Sequence, residues 1–132
     1  MGINYDITAL LGDEIKGVSG QDAVNVLLEK KSGHVKAAFI REDIGTIDLI
    51  WGDETCGLCH IIKQREKQGT DPTEFLSDIE DVITYGTISK NRKGRFEIFY
   101  NRKIAIVSPE LRGNKLTFLL TAYKTRKKPK SC

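Results

Sequence analysis

One histidine, two threonine hydroxyls and a phenol give this chain most of its chemical possibilities. The stretch from Lys115 to Lys124 reads as a strand, in which successive side chains point to opposite faces. Leu116, Phe118, Leu120 and Ala122 then form an apolar row for the core, and Lys115, Thr117, Leu119, Thr121 and Tyr123 form the other row. Hydroxyls and a phenol turned away from the core, with lysines at both ends, can donate hydrogen bonds to an anion. A phosphodiester is the first candidate. His60 belongs to a helical stretch from about Cys56 to Lys67, where Leu58, Ile61, Ile62 and Arg65 share a face and Lys63 and Lys67 share the opposite one with His60. That placement keeps His60 out of the core, and imidazole is the side chain whose ordinary pKa suits proton transfer near neutrality. An idle surface histidine would show the same pattern.

The cations that could accompany these groups are spread along the chain. His34 and Lys36 share one parity of an extended segment, opposite Val35, Ala37 and Phe39, and Arg95 and Glu97 lie opposite Phe96, Ile98 and Tyr100. If these strands join one sheet, its outer face presents Arg95, Glu97, Thr117, Thr121 and Tyr123 beside the helix bearing His60. That would make an RNA-cleaving cleft, although a solvated sheet face produces the same alternation. Lys36, Arg95 and Lys124, with Lys63 behind them, are the candidate phosphate-binding residues. Tyr123 and Lys124 have opposite parity, so they meet in one cleft only if the strand twists or frays.

Other chemistries find less support. Cys56-Gly57-Leu58-Cys59-His60 spells the C-x-x-C-H haem-attachment pattern. Met1 is the only methionine, which leaves His34 as the one substitute axial ligand, and no export signal precedes the motif. Structural zinc takes four ligands, and a thioredoxin-like pair would follow a strand of a parallel sheet. The cysteines are therefore read as inert, with a haem or redox protein kept as an alternative. There is no G-x-G-x-x-G, no Walker loop and no carboxylate set suited to Mg²⁺, so neither metal nor cofactor is expected.

The elements that must position these residues follow from the pattern. A chain of 132 residues, 39% hydrophobic and 30% charged, suits one soluble globular domain. No apolar run approaches the roughly 20 residues of a membrane helix. The net charge of +3 is uneven, with basic clusters over residues 90–103 and 124–130 that would attract nucleic acid. Residues 1–18 lack periodicity and read as a leader or the end of a linker; 19–125 form the domain and 126–132 a basic tail. Ser19 caps a helix closed by Gly33. Strands follow over 34–40 and from Ile47 to Trp51, then the helix bearing His60, ended by Gly69. Asp71-Pro72 opens a further helix through Phe75, Leu76, Ile79, Val82 and Ile83 to Gly86. Strands at about 95–100, 102–107 and 115–124 close the chain, joined by a tight turn at Asn101 and a second at Pro109 and Gly113-Asn114. The expectation is α+β, with N-terminal helices packed on a C-terminal antiparallel sheet.

Four ordered blocks carry a resemblance. They are Gly33-His34-Val35-Lys36-Ala37-Ala38-Phe39, Asp43 through Gly52, Gly57-Leu58-Cys59-His60-Ile61-Ile62, and Phe118-Leu119-Leu120-Thr121-Ala122-Tyr123. Over about residues 19 to 125 the chain resembles the phage-associated and polymorphic-toxin ribonucleases of the barnase/EndoU/colicin/RelE-like superfamily. The resemblance implies helices packed on an antiparallel sheet with the active site on its open face. It implies metal-independent endoribonuclease activity, often on tRNA, by 2′-OH attack giving a 2′,3′-cyclic phosphate, with His60, Thr121 and Tyr123 as the catalytic set. It also implies a cognate immunity protein, and delivery as the C-terminal part of a phage or secreted protein that acts in a target-cell cytoplasm. Asp48 and Trp51 match family positions and are read as structural. A non-catalytic nucleic-acid-binding module of the same fold is the other alternative.

Overall fold

A computed structural model describes residues 6–125. The elements are α1 (Thr8–Leu11), α2 (Gly20–Lys30), β1 (His34–Arg41), β2 (Gly45–Ile50), α3 (Gly57–Lys67), α4 (Pro72–Leu76), α5 (Ile79–Tyr85), β3 (Thr87–Lys90), β4 (Phe96–Tyr100), β5 (Lys103–Leu111) and β6 (Asn114–Lys124). All six strands form one sheet in the order β1-β2-β6-β5-β4-β3. The fold is α+β, but helices and strands alternate along the chain instead of segregating to its two ends. An N-terminal hairpin, β1–β2, joins a C-terminal meander through one parallel contact, Asp48 opposite Phe118, while every other pairing between these six strands is antiparallel.

Helices α2 to α5 cover one face of the sheet. Their apolar stripes, Ala23, Val24 and Leu27, Leu58 and Ile61, Phe75 and Leu76, and Ile79, Val82 and Ile83, meet Val35, Phe39, Ile47, Leu49, Ile98, Ala105, Val107, Leu119 and Ala122 in the main core. A smaller cluster of Ile50, Cys56, Leu111 and Phe118 lies on the other face, where Ile7, Leu10 and Leu11 pack onto it. Residues 6–18, within the stretch read as a leader, thus supply part of a packed layer. The basic tail over 126–132 lies outside the described residues.

Several boundaries differ from the sequence reading, each for a local reason. Helix α2 ends at Lys31, which adopts a left-handed conformation (φ 56°) and donates its N–H to the Leu27 carbonyl, before Gly33 is reached. The helix expected from Asp71 to Gly86 is two helices. Asp71 caps α4 as expected, accepting from the Thr73 N–H at 3.0 Å, but the Ser77 hydroxyl then donates to the Glu74 carbonyl at 2.7 Å and α5 restarts at Ile79. Strand β3 was missed; it is four residues long and mostly exposed, so it shows little alternation. Pro109 lies within β5 at an irregularity between Ser108 and Glu110, and the turn itself falls at Arg112-Gly113. The Asn101-Arg102 turn matches expectation, with both residues at positive φ, as a tight hairpin requires.

Two bulges alter which side chains face the core. In β1 the register slips between Val35 and Phe39, and Ala37 takes φ 52° with its N–H donated to the Asp48 carboxylate at 2.8 Å. Val35, Ala38 and Phe39 are buried instead of Val35, Ala37 and Phe39. In β6 the slip comes between Leu119 and Thr121, opposite Val107 and Ile106. The expected row Leu116-Phe118-Leu120-Ala122 is therefore broken. Leu119 and Ala122 face the main core, and Leu116, Phe118 and Leu120 belong to the smaller cluster on the open side.

Candidate active site

The open face of β4, β5 and β6 forms the floor of the site. Register places Glu97, Ile106 and Thr121 in one transverse row and Phe99, Ile104 and Tyr123 in the next. These alternate with Ile98, Ala105 and Ala122, which face the helices. The β6 bulge is what turns Thr121 and Tyr123 to the same side as Phe118. Arg95 lies two residues before Glu97 and shares its side. With Lys93, Ser108, Phe118 and Leu120, Arg95 lines a cleft of about 440 Å³. Thr55, Cys56, Leu111 and Arg112 line it too.

His60 is positioned by the loop between β2 and α3. Gly52 and Gly57 both have positive φ, and neither tolerates a side chain: a Cβ on Gly52 would lie 2.1 Å from the Cys56 carbonyl oxygen, and one on Gly57 2.8 Å from that of Ile50. The loop is closed further by Asp53, whose carboxylate accepts from the Thr55 amide at 2.8 Å, the Thr55 hydroxyl at 2.6 Å and Arg112 at 3.0 Å. Burial pushes the Asp53 carboxyl up, but the Thr55 hydrogen bonds and Arg112 outweigh it and leave the pKa lowered. Half-buried His60 then places Nδ1 2.8 Å from the Glu54 carbonyl oxygen. A carbonyl only accepts, so Nδ1 carries the proton in this contact, and Nε2 of the neutral ring remains available as an acceptor. The same loop lines the open-face cleft through Thr55 and Cys56, so His60 is tied by its hydrogen bond to a segment that borders that face.

Electrostatics single out one pair on the floor. Burial raises the pKa of the Tyr123 phenol, and the negative charge of Glu97 raises it further. Glu97 is held by the Asn91 side-chain amide at 3.2 Å. Asn91 in turn accepts from the Lys93 and Arg95 amides, both at 3.0 Å, which ties the carboxylate to the β3–β4 turn. Among the described residues neither the Thr121 hydroxyl nor the Tyr123 phenol hydrogen-bonds a protein group, and no hydrogen bond links His60 to either.

The structure groups some of the sequence candidates and separates others. Thr121, Tyr123 and Arg95 share the open face, and His60 sits on α3, hydrogen-bonded to the loop that lines the cleft. Lys63 is on the polar side of α3, its ammonium 2.6 Å from Glu54. Lys36 is on β1 at the far side of β2, 3.7 Å from Glu14. Lys124 pairs in register with Lys103 and turns to the helix side. The sequence reading put Glu97 on the face without a role; its neighbour Tyr123 is 26 positions on, and only the pairing of β4, β5 and β6 reveals the contact. Asp53 and Arg112, 59 positions apart, gave no local signal. The Cys56 and Cys59 thiols have raised pKa values, through burial first, with Asp53 also raising Cys56. His34 is buried, its Nδ1 3.0 Å from the Leu11 carbonyl oxygen, and is engaged in docking α1. Among the described residues no group of three or more His, Cys, Asp or Glu side chains is placed to hold a metal ion, and no helix is long and apolar enough to cross a membrane.

Residues 38–129 match the family described as phage-Barnase-EndoU-ColicinE5/D-RelE like nuclease. The chain belongs to this nuclease family. The match spans every strand of the meander, the loop that orients His60 and the whole open face, so nucleic acid is the substrate class of the nuclease. A comparison with curated proteins found no match.

Proposed function

We propose that this nuclease is a toxin-type endoribonuclease that cuts RNA, tRNA foremost, without a metal ion. The ribose 2′-oxygen attacks its own phosphorus as the bond to the 5′-oxygen breaks, leaving a 2′,3′-cyclic phosphate and a 5′-hydroxyl. The proton lost from the 2′-oxygen and the one gained by the 5′-oxygen require a base and an acid. We assign these roles to His60, whose Nε2 is unengaged among the described residues, and to Glu97 on the open face. Thr121 and Tyr123 donate to the phosphate oxygens as charge grows on them, and Arg95 neutralises the phosphate. Delivery as the C-terminal part of a phage or secreted protein, action in a target cytoplasm and an immunity protein belong to the same reading.

The observation that supports it is the convergence on one open sheet face of a hydroxyl, a phenol and a carboxylate, with an imidazole oriented by the loop that lines the adjoining cleft, in a chain of a nuclease family. The test is cleavage of tRNA in excess EDTA with end-group analysis of the products. Activity should persist in the chelator, and His60→Ala should lower it at least about 10²-fold. Thr121→Ala and Tyr123→Phe should reduce turnover more than RNA binding. A 5′-phosphate product, activity restored only by Mg²⁺, or His60→Ala cleaving at the parental rate would each overturn the mechanism.

A further inference from the structure

A second cleft, of about 560 Å³, lies away from the open face. It lies at the end of the sheet on the helix side, lined by Thr70, Asp71, Glu74 and Phe75, by the turn Asn101-Arg102 with Lys103, and by Lys124 and Thr125. Tyr100 pairs with Lys103 and Lys103 with Lys124, so these three side chains form one row across β4, β5 and β6. The row ends in an exposed aromatic pair. Tyr100 is 36% and Tyr85 69% exposed, with ring centroids 6.3 Å apart.

Charge at this end is uneven. Lys103 is spoken for, donating to the Phe75 carbonyl at 2.9 Å and to Asp78 at 2.5 Å. Asp71 spends its carboxylate on the α4 cap. Arg102 and Lys124 are exposed and make no ion pair among the described residues, against Glu74 on the same rim. Behind the cleft wall, Arg65 is buried with its guanidinium 5.4 Å from the Phe75 centroid, while the Lys103 ammonium stands 4.9 Å from the same ring. Among the described residues no carboxylate pairs with Arg65, so its charge adds to the positive field at the cleft.

Exposed tyrosines beside unpaired cations are the two elements of a single-strand binding surface, because every base has a face to stack and every linkage a charge to neutralise. Resting on the ribonuclease reading, we propose that this end of the molecule is a second substrate subsite. There, single-stranded RNA flanking the cleaved bond lays phosphates on Arg102 and Lys124 and stacks a base on the Tyr85/Tyr100 pair. Tyr123 and Lys124 are consecutive and face opposite sides of β6, so a strand leaving the catalytic face reaches the subsite by passing round the end of that strand. Lys124, drawn from the sequence as a clamp on the scissile phosphate, serves a neighbouring phosphate instead.

The experiment compares Arg102→Ala/Lys124→Ala, Tyr85→Ala/Tyr100→Leu and, as a charge control, Lys30→Ala/Lys31→Ala. Each pair is also made in the His60→Ala background for binding a fluorescent single-stranded RNA 12-mer and its DNA counterpart. Folding of every variant is verified by thermal melting. The subsite requires that both pairs of substitutions weaken 12-mer binding about tenfold. Removing the two cations should also reduce the salt slope by about 1.4, the value for two phosphate contacts on a single strand, with a smaller change in the Lys30/Lys31 control. In the cleavage-competent background, kcat/KM for the 12-mer should fall at least about tenfold more than for a dinucleotide. Parental binding by both test pairs overturns the proposal. So do equal losses on dinucleotide and 12-mer, which would assign these residues to the catalytic face, and preference for DNA over RNA. If the parent cleaves nothing yet the binding losses appear, the ribonuclease reading fails while the binding surface stands.

Discussion

Tyr123 and Glu97 show how a strand neighbour two places across a sheet sets the chemistry of a side chain. Burial and the Glu97 charge both favour the neutral phenol, so Tyr123 stays a hydrogen-bond donor well into alkaline solution. The folded-state pKa lies above the unfolded value of about 10. The contribution to stability is thus intact below that pH and is lost as pH rises through the folded value. Glu97→Gln should bring the Tyr123 titration down, but not to the ordinary value, since burial remains. Spectrophotometric titration of the phenolate, with Tyr123→Phe to identify the signal among the four tyrosines, measures it. A titration unmoved by Glu97→Gln would show that burial alone controls the phenol.

At the scale of elements, the two bulges separate what the sequence disclosed from what it withheld. The helix of His60, the Asp71 cap and the strand ending at Lys124 were legible because their signals are local: a 3.6-residue stripe, a capping residue with proline behind it, a run of alternation. The slips at Ala37 and at Leu119–Thr121 were not, because a bulge is defined by the partner strand, and a single extra residue leaves no mark on composition. Thr121 and Tyr123 kept their expected side only because they lie past the slip, while Leu119 and Leu120 exchanged theirs. The β1 bulge offers a measurement. Ala37 holds a left-handed φ that disfavours a Cβ, so Ala37→Gly should leave stability unchanged or raise it by up to about 1 kcal/mol. Asp48→Ala should cost about 1–3 kcal/mol by removing the acceptor of the Ala37 N–H. Chemical denaturation of both variants decides. Equal small effects would show that the bulge does not depend on its carboxylate.

For the whole molecule, the decisive joint is between β2 and β6. No sequence pattern announces a parallel contact between segments 70 positions apart, and it is this contact that unites the N-terminal hairpin with the meander. It is also brief. Beyond Phe118, β6 runs on while β2 ends at Ile50, and α3 comes alongside, with the buried Arg65 side chain donating to the Ala122 carbonyl between Thr121 and Tyr123. Among the described residues its Nε has no partner and its charge no carboxylate, and burial lowers its pKa. A guanidinium held at such a disadvantage suggests a role other than cohesion. By occupying a main-chain acceptor on the flank where β2 has stopped, it withholds that flank from any foreign strand seeking to extend the sheet. Arg65→Met, which keeps the bulk and removes the charge, should therefore leave the melting temperature close to the parental value or raise it while increasing self-association at high concentration, as read by light scattering. A monodisperse variant would refute that role. Arg65 would then be a guard against the protein polymerising with itself.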